Sequence, residues 1–167
     1  GTMNLVQAIY LNHNIKPFDD VRVRQALCYA IDVDAMLKLT SGGHGAPVGS
    51  SMYPAFGKYF DETLANAYPH DAAKAKQLLA EAGYPNGFSF TIKVPSNYQP
   101  HVDCATVLVE QLKAAGIDAK IQLVDWSTWL SDVYKGRNFE ATITGFASST
   151  LNASGMLARW ETGNGKN

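Results

Sequence analysis

The 167-residue chain has no long run of one charge and little that would support chemistry of its own. Fourteen Lys and Arg stand against fifteen Asp and Glu, a net charge of −1, with no basic cluster and no acidic tail. A nucleic-acid surface needs clustered positive charge, so that class is excluded. No apolar stretch approaches the eighteen or so residues of a membrane span. The N-terminus lacks a signal peptide's charged and apolar regions, and Gly1-Thr2-Met3 reads as a cloning scar, so the native compartment is not encoded there. Only two cysteines occur, Cys28 and Cys104, each inside a predicted helix and far apart in sequence. They are expected to be buried free thiols. His13, His44, His70 and His101 show no metal-ligand spacing with each other or with a cysteine, so no metal and no cofactor is expected. Also missing are the G-x-S-x-G nucleophile elbow, the G-x-x-x-x-G-K-[ST] phosphate loop and the G-x-G-x-x-G fingerprint.

What is present is the grammar of one domain, 46% hydrophobic and 17% charged, over residues 4–167. Residues 5–12 are rich in β-formers and read as a buried strand. Val23, Ala26, Leu27, Ala30 and Ile31 recur at helical spacing, with Asp19 or Asp20 as N-cap, and a second helix after Asp32 carries Ala35, Met36 and Leu39. From Ser41 to Pro69 periodicity disappears and Gly, Pro, Ser and Tyr accumulate, a length of loop more often functional than connecting. Asp71 then caps a helix with Ala75, Leu78, Leu79 and Ala82 on one face, stopped by Gly83. Phe88, Phe90, Ile92 and Val94 alternate as a strand. Val102, Ala105, Val109 and Leu112 form a helical stripe. Ile117, Ala119, Ile121 and Leu123 alternate again. Trp126, Trp129, Leu130, Val133 and Tyr134 make another helical face, residues 139–145 a last strand ending at Gly145-Phe146, and a final helix starts near Asn152 or Ser154. This β-α-β-α-β order implies an α/β fold with a mostly parallel sheet and flanking helices.

Ligands of such sheets collect at the carboxyl ends of the strands. Three loops meet that condition: Ser96-Asn97-Tyr98, Asp125-Trp126, and Phe146 through Thr150. The last lies in a stretch, residues 142–155, that contains no acid. Together these loops offer aromatic faces and neutral hydrogen-bonding groups, so Ser96, Asn97, Tyr98, Trp126, Phe146, Ser148, Ser149 and Thr150 are the candidate ligand-binding residues. Asp125 is explained as an N-cap. Trp129 belongs to the core, whereas Trp126 fits core and site equally. His101 and Asp103, two apart on a helix, do not face each other and read as solvated surface. Ser148 and Ser149 leave open a small hydrolase-like enzyme, although no histidine is placed beside them.

Four features then carry a family resemblance: "PFDDVRVRQALCYAID", "HDAAKAKQLLAEAGYPNGFSFTI", "LVEQLKAAGIDAKIQLVDWSTWLSDVYKGRNFEATITGF", and the spacing between them. In this order they resemble the peptide-type extracytoplasmic solute-binding proteins of ABC importers, the dipeptide, oligopeptide and nickel receptor family, over residues 5 to about 160. The resemblance implies one lobe of a type II periplasmic-binding-protein fold, specifically most of the second lobe, with the first lobe absent. It implies a non-catalytic, monomeric receptor, periplasmic or a cell-surface lipoprotein, that hands a peptide or related solute to a permease and an ATPase. A sensor that borrowed the fold without a permease is the further alternative. Where the family has Gly-Trp-x-x-Asp-x-x-Asp-Pro, this chain has Gly145-Phe146-Ala147-Ser148-Ser149-Thr150-Leu151-Asn152-Ala153. Ser149 thus stands where dipeptide- and oligopeptide-type members place the aspartate for the peptide's α-ammonium. Ser96 stands where dipeptide-type members place an arginine for the ligand carboxylate.

Overall fold

The computed structural model describes residues 5–148 and 152–163. Four strands form one sheet in the order β1-β4-β2-β3. They are β1 Leu5–Leu11, β2 Ser89–Pro95, β3 Asp118–Val124 and β4 Ala141–Ala147. β2 runs parallel to both β3 and β4, while β1 lies antiparallel on the outer side of β4. The expected mostly parallel α/β sheet is therefore present.

The helices begin where short polar side chains can accept their free amide hydrogens. Asp20 accepts from Arg22 at the start of α1 (Val21–Ala30), Asp32 from Ala35 at α2 (Val33–Ser41), and Asp71 from Lys74 at α3 (Ala72–Glu81). α4 (Gln99–Ala114) links β2 to β3. The β3–β4 crossover starts with α5 (Trp126–Thr128), capped by Asp125, and continues as a π-helical segment Trp129–Lys135. α6 (Ala153–Leu157) follows β4, with Asn152 as its cap. Between α2 and α3 the aperiodic stretch holds only two 3-10 turns, Pro54–Tyr59 and Glu62–Asn66.

Two clusters cover opposite faces of the sheet. The larger unites Phe18, Leu27, Leu79, Ile92, Leu108 and Ile143, among others, beneath α1, α3 and α4. The smaller joins Val6, Met52, Tyr53, Phe56 and Met156, with Phe146 packed against it. Burial on both faces explains why the polar Thr142 and Thr144 are 3% and 7% exposed. The Trp129 indole N–H donates to the Thr142 hydroxyl at 3.0 Å, and that hydroxyl donates to the Lys93 carbonyl at 2.6 Å. The buried Thr142 hydroxyl and Trp129 indole N–H thus both have partners, as burial requires.

Several expectations need correction. Strand 5–12 is a partly exposed sheet edge, because among the described residues β4 is its only sheet neighbour and packing covers it incompletely. The last strand begins at Ala141 and runs through Gly145-Phe146 to Ala147, since β1 continues to pair with it that far. Leu39 is 72% exposed, lying on the outer side of α2. Cys28 is exposed on α1, whereas Cys104 is half-buried, and both are free. His101 is buried, because the inward stripe of α4 is His101, Ala105, Leu108 and Leu112.

Candidate functional site

The site follows from the strand order. β2 connects to β3 on one side, and β3 then returns across β2 to β4 on the other. In open parallel sheets, such a reversal opens a crevice at the strands' carboxyl ends. Here the opening is visible in the register. β2 and β4 pair only at Ile92↔Ala141 and Lys93↔Thr142, and the two strands then part. Residues 143–147 of β4 remain paired with β1 on one side, and among the described residues no strand pairs with them on the other.

Loops from β2 and β3 flank this opening. The Ser96 amide donates to the Val124 carbonyl at 2.8 Å, which holds the Ser96-Asn97-Tyr98 loop beside the end of β3. Ser96, Asn97 and Tyr98 are exposed. Tyr98 meets Trp126 edge to face at 5.2 Å, and Trp126 stacks on Trp129 at 5.1 Å with the rings nearly parallel. Trp129 is 4% exposed and packs inward as expected, whereas Trp126 is 37% and Tyr98 42% exposed. Trp126 therefore lays one face on the core tryptophan, meets Tyr98 at its edge and keeps part of its surface toward solvent.

Asp125 holds this platform in place. Its carboxylate accepts from the Ser127 and Thr128 hydroxyls and from the Thr128 amide. These bonds to the charged form, hydroxyls first, hold its carboxyl far below the usual range. Beneath Tyr98 lies His101, 7% exposed, at 5.4 Å between rings, with its Nδ1 shut from solvent and unpartnered among the described residues. Burial pushes the His101 pKa down from 6.5.

On β4, Phe146 faces the smaller core cluster and a cavity beside it. This groove of about 420 Å³ runs along β1, residues 48–51 and α6. The Arg159 guanidinium lies 3.6 Å from the Phe146 ring centroid. Tyr10 meets Phe146 edge to face at 5.1 Å and stacks with Trp160 at 6.1 Å. The Tyr10 hydroxyl is pushed up to about 12 by burial, against the opposing pull of Arg159. Ser148 Oγ accepts from the Asn152 amide at 3.3 Å, a turn role, and among the described residues no histidine bonds it. Ser149 and Thr150 lie outside the described residues.

The structure thus puts Ser96, Asn97, Tyr98 and Trp126 on one side of the opening and Phe146 and Ser148 on the other. Sequence reasoning missed Tyr10, His101, Arg159 and Trp160. Their neighbours are distant in sequence, and no motif marks them. Among the described residues no cluster of His, Cys, Asp and Glu could hold a metal, and no helix is long and apolar enough to cross a membrane.

Comparison with known proteins gives the family. The glutathione-binding protein GsiB of Shigella flexneri serotype 5b is 32% identical over 155 residues, which are 89% of this chain and 30% of that protein. The dipeptide-binding protein of Escherichia coli K12 is 35% identical over 135 residues, 77% of this chain and 25% of that protein. Among solved structures, the periplasmic binding protein DppA of Helicobacter pylori, in complex with peptide STSA, superposes with a TM-score of 0.80 at 29% identity. That match covers 92% of this chain and 29% of DppA. The chain therefore spans less than a third of the length of each of these relatives. The family described as bacterial extracellular solute-binding proteins, family 5 (middle part), matches residues 1–167, and the chain belongs to that family.

Proposed function

We propose that this chain is one lobe of an ABC importer's receptor and that it holds a peptide or peptide-like solute in the opening between β2 and β4. The observation that carries the reading is the side of β4 at residues 143–147 that no strand among the described residues pairs with, beside the exposed Tyr98–Trp126 platform. An extended peptide can complete such an edge with main-chain hydrogen bonds, while flanking pockets read alternate side chains. The names of the glutathione-, dipeptide- and peptide-binding relatives support the same solute class. Binding without turnover suits a site in which the Ser148 hydroxyl serves a turn and, among the described residues, no histidine bonds it. The receptor would work outside the cytoplasmic membrane, periplasmic or lipid-anchored, and deliver its solute to a permease and an ATPase.

The site sequence adds a restriction. A buried ammonium costs several kcal/mol without a compensating carboxylate, and residues 142–155 contain none. A serine such as Ser149 accepts a hydrogen bond but supplies no charge. The ligand is therefore not anchored here through a free amino end. The test is a thermal-shift screen of the receptor at its relatives' full length, against dipeptides and tripeptides, free and N-acetylated, beside amino acids, sugars and metal chelates. Peptides should raise the midpoint by mass action, and the acetylated forms should do so as well as the free ones. Hits among sugars or chelates alone would overturn the peptide reading. A strict demand for the free amino end would overturn the restriction.

A further inference from the structure

The groove beside Phe146 has one charge and no counter-charge. Arg159 is a half-buried lining residue, and no Asp or Glu lines the cavity with it. Its Nη1 is closed to solvent and has no hydrogen-bond partner among the described residues. The contacts recorded around it are aromatic: Phe146 under the guanidinium, Tyr10 against Phe146, and Trp160 against Tyr10. Such a ring face attracts a cation and fixes its position, yet it does not replace the hydrogen bonds that five guanidinium N–H groups can make. A clamped, planar guanidinium in an apolar-walled cavity is matched by a carboxylate, which can take two of its N–H groups at once.

From this we infer that the groove between β1, residues 48–51 and α6 is a specificity subsite that takes an acidic arm of the ligand, with Arg159 as its counter-charge and Phe146 and Tyr10 as its walls. The inference rests on the proposed binding function, because Phe146 belongs both to the open stretch of β4 and to the groove. It goes beyond that reading by assigning the ligand's charge. With no carboxylate in residues 142–155 and a cation in the groove, this wall of the site favours acidic solutes over basic ones.

The test uses the receptor at its relatives' full length and pairs of tripeptides that differ by one charge: Ala-Glu-Ala against Ala-Gln-Ala, and Ala-Ala-Glu against Ala-Ala-Gln. Each is assayed free and N-acetylated by isothermal titration calorimetry. One Glu peptide should bind roughly tenfold or more tightly than its Gln partner, the value of a hydrogen bond to a charged group. The preference should fall with salt and vanish in Arg159→Met, with the Glu peptide losing much more affinity than its Gln partner. Arg159→Lys, which keeps the charge and loses the fork, should retain only part of it. Equal binding of Glu and Gln peptides overturns the subsite and leaves the peptide reading standing. No binding of any peptide overturns both. If Arg159→Met lowers the midpoint of the ligand-free receptor and leaves the Glu/Gln ratio unchanged, the arginine pairs with the receptor's own polypeptide and the subsite is overturned.

Discussion

Two residues show how polar groups are accommodated inside this fold, and each makes a prediction. The Trp129–Thr142–Lys93 chain of hydrogen bonds stands where β2 and β4 part, so Thr142 replaces with its side chain the ladder that ends there. Thr142→Val should cost about 1–3 kcal/mol, because it leaves a buried indole N–H and a carbonyl unpaired. Adding Trp129→Phe removes the orphaned donor, so the double variant should lose less than the two single losses summed. Urea denaturation of all four proteins measures this, and simple additivity would show that the bond is not made. His101 answers to pH. Burial holds its folded pKa below 6.5, so the unfolded chain takes up the proton first as pH falls. Its stabilising share is complete above 6.5 and is lost as pH drops from there through the lowered folded value. His13 has the same sign, from burial and then Arg24, so the wild-type midpoint alone does not isolate His101. In His101→Phe the decline in thermal midpoint below pH 6.5 should be shallower than in the wild type. An unchanged slope would assign the acid limb to other groups.

At the scale of elements, local signals in the sequence were the most legible. Asp20, Asp32, Asp71 and Asp125 each cap a helix as their position before an apolar-periodic run implies. β2 and β3 keep the alternation that marks them in the core, up to the exposed Leu123. What failed depends on distant neighbours. The end of β4 is set by β1, more than 130 positions earlier in the chain, and its doubly buried threonines by residues 126–135 and the smaller cluster. The groove was invisible for the same reason, since one wall comes from the aperiodic residues 48–51 and another from α6. Tyr98 and Trp126 could be found because strand ends point to them; Arg159 could not. Turn glycines fall between these cases. Gly87, before β2, has φ +73°, and a Cβ there would lie 1.8 Å from the Gly116 carbonyl oxygen. Gly83 has φ +93° with nothing within 4 Å of a Cβ. Gly83→Ala should cost about 1 kcal/mol of backbone strain alone. Gly87→Ala should cost clearly more, because two backbone turns must separate. Equal denaturation midpoints for the two variants would contradict the close approach.

For the molecule as a whole, the decisive feature is how open the proposed site is. Tyr98 and Trp126 keep about two fifths of their surface in water, and among the described residues no strand pairs with residues 143–147 of β4 on the side away from β1. A ligand pocket normally encloses 70–90% or so of a small ligand. So open a site covers less, yet the ligand still loses its translational and rotational freedom on docking. The 167-residue chain should therefore bind a given tripeptide at least about a hundredfold more weakly than the receptor at its relatives' length, a difference of about 2.7 kcal/mol or more. Calorimetry on both proteins with one peptide decides it. If the affinities match, this chain carries the whole recognition surface, and the open edge of β4 with the Phe146 groove is sufficient. If only the long receptor binds, the same residues act as half of a closing site, and Tyr98→Ala or Trp126→Ala should weaken the long receptor by an amount that this chain alone does not report.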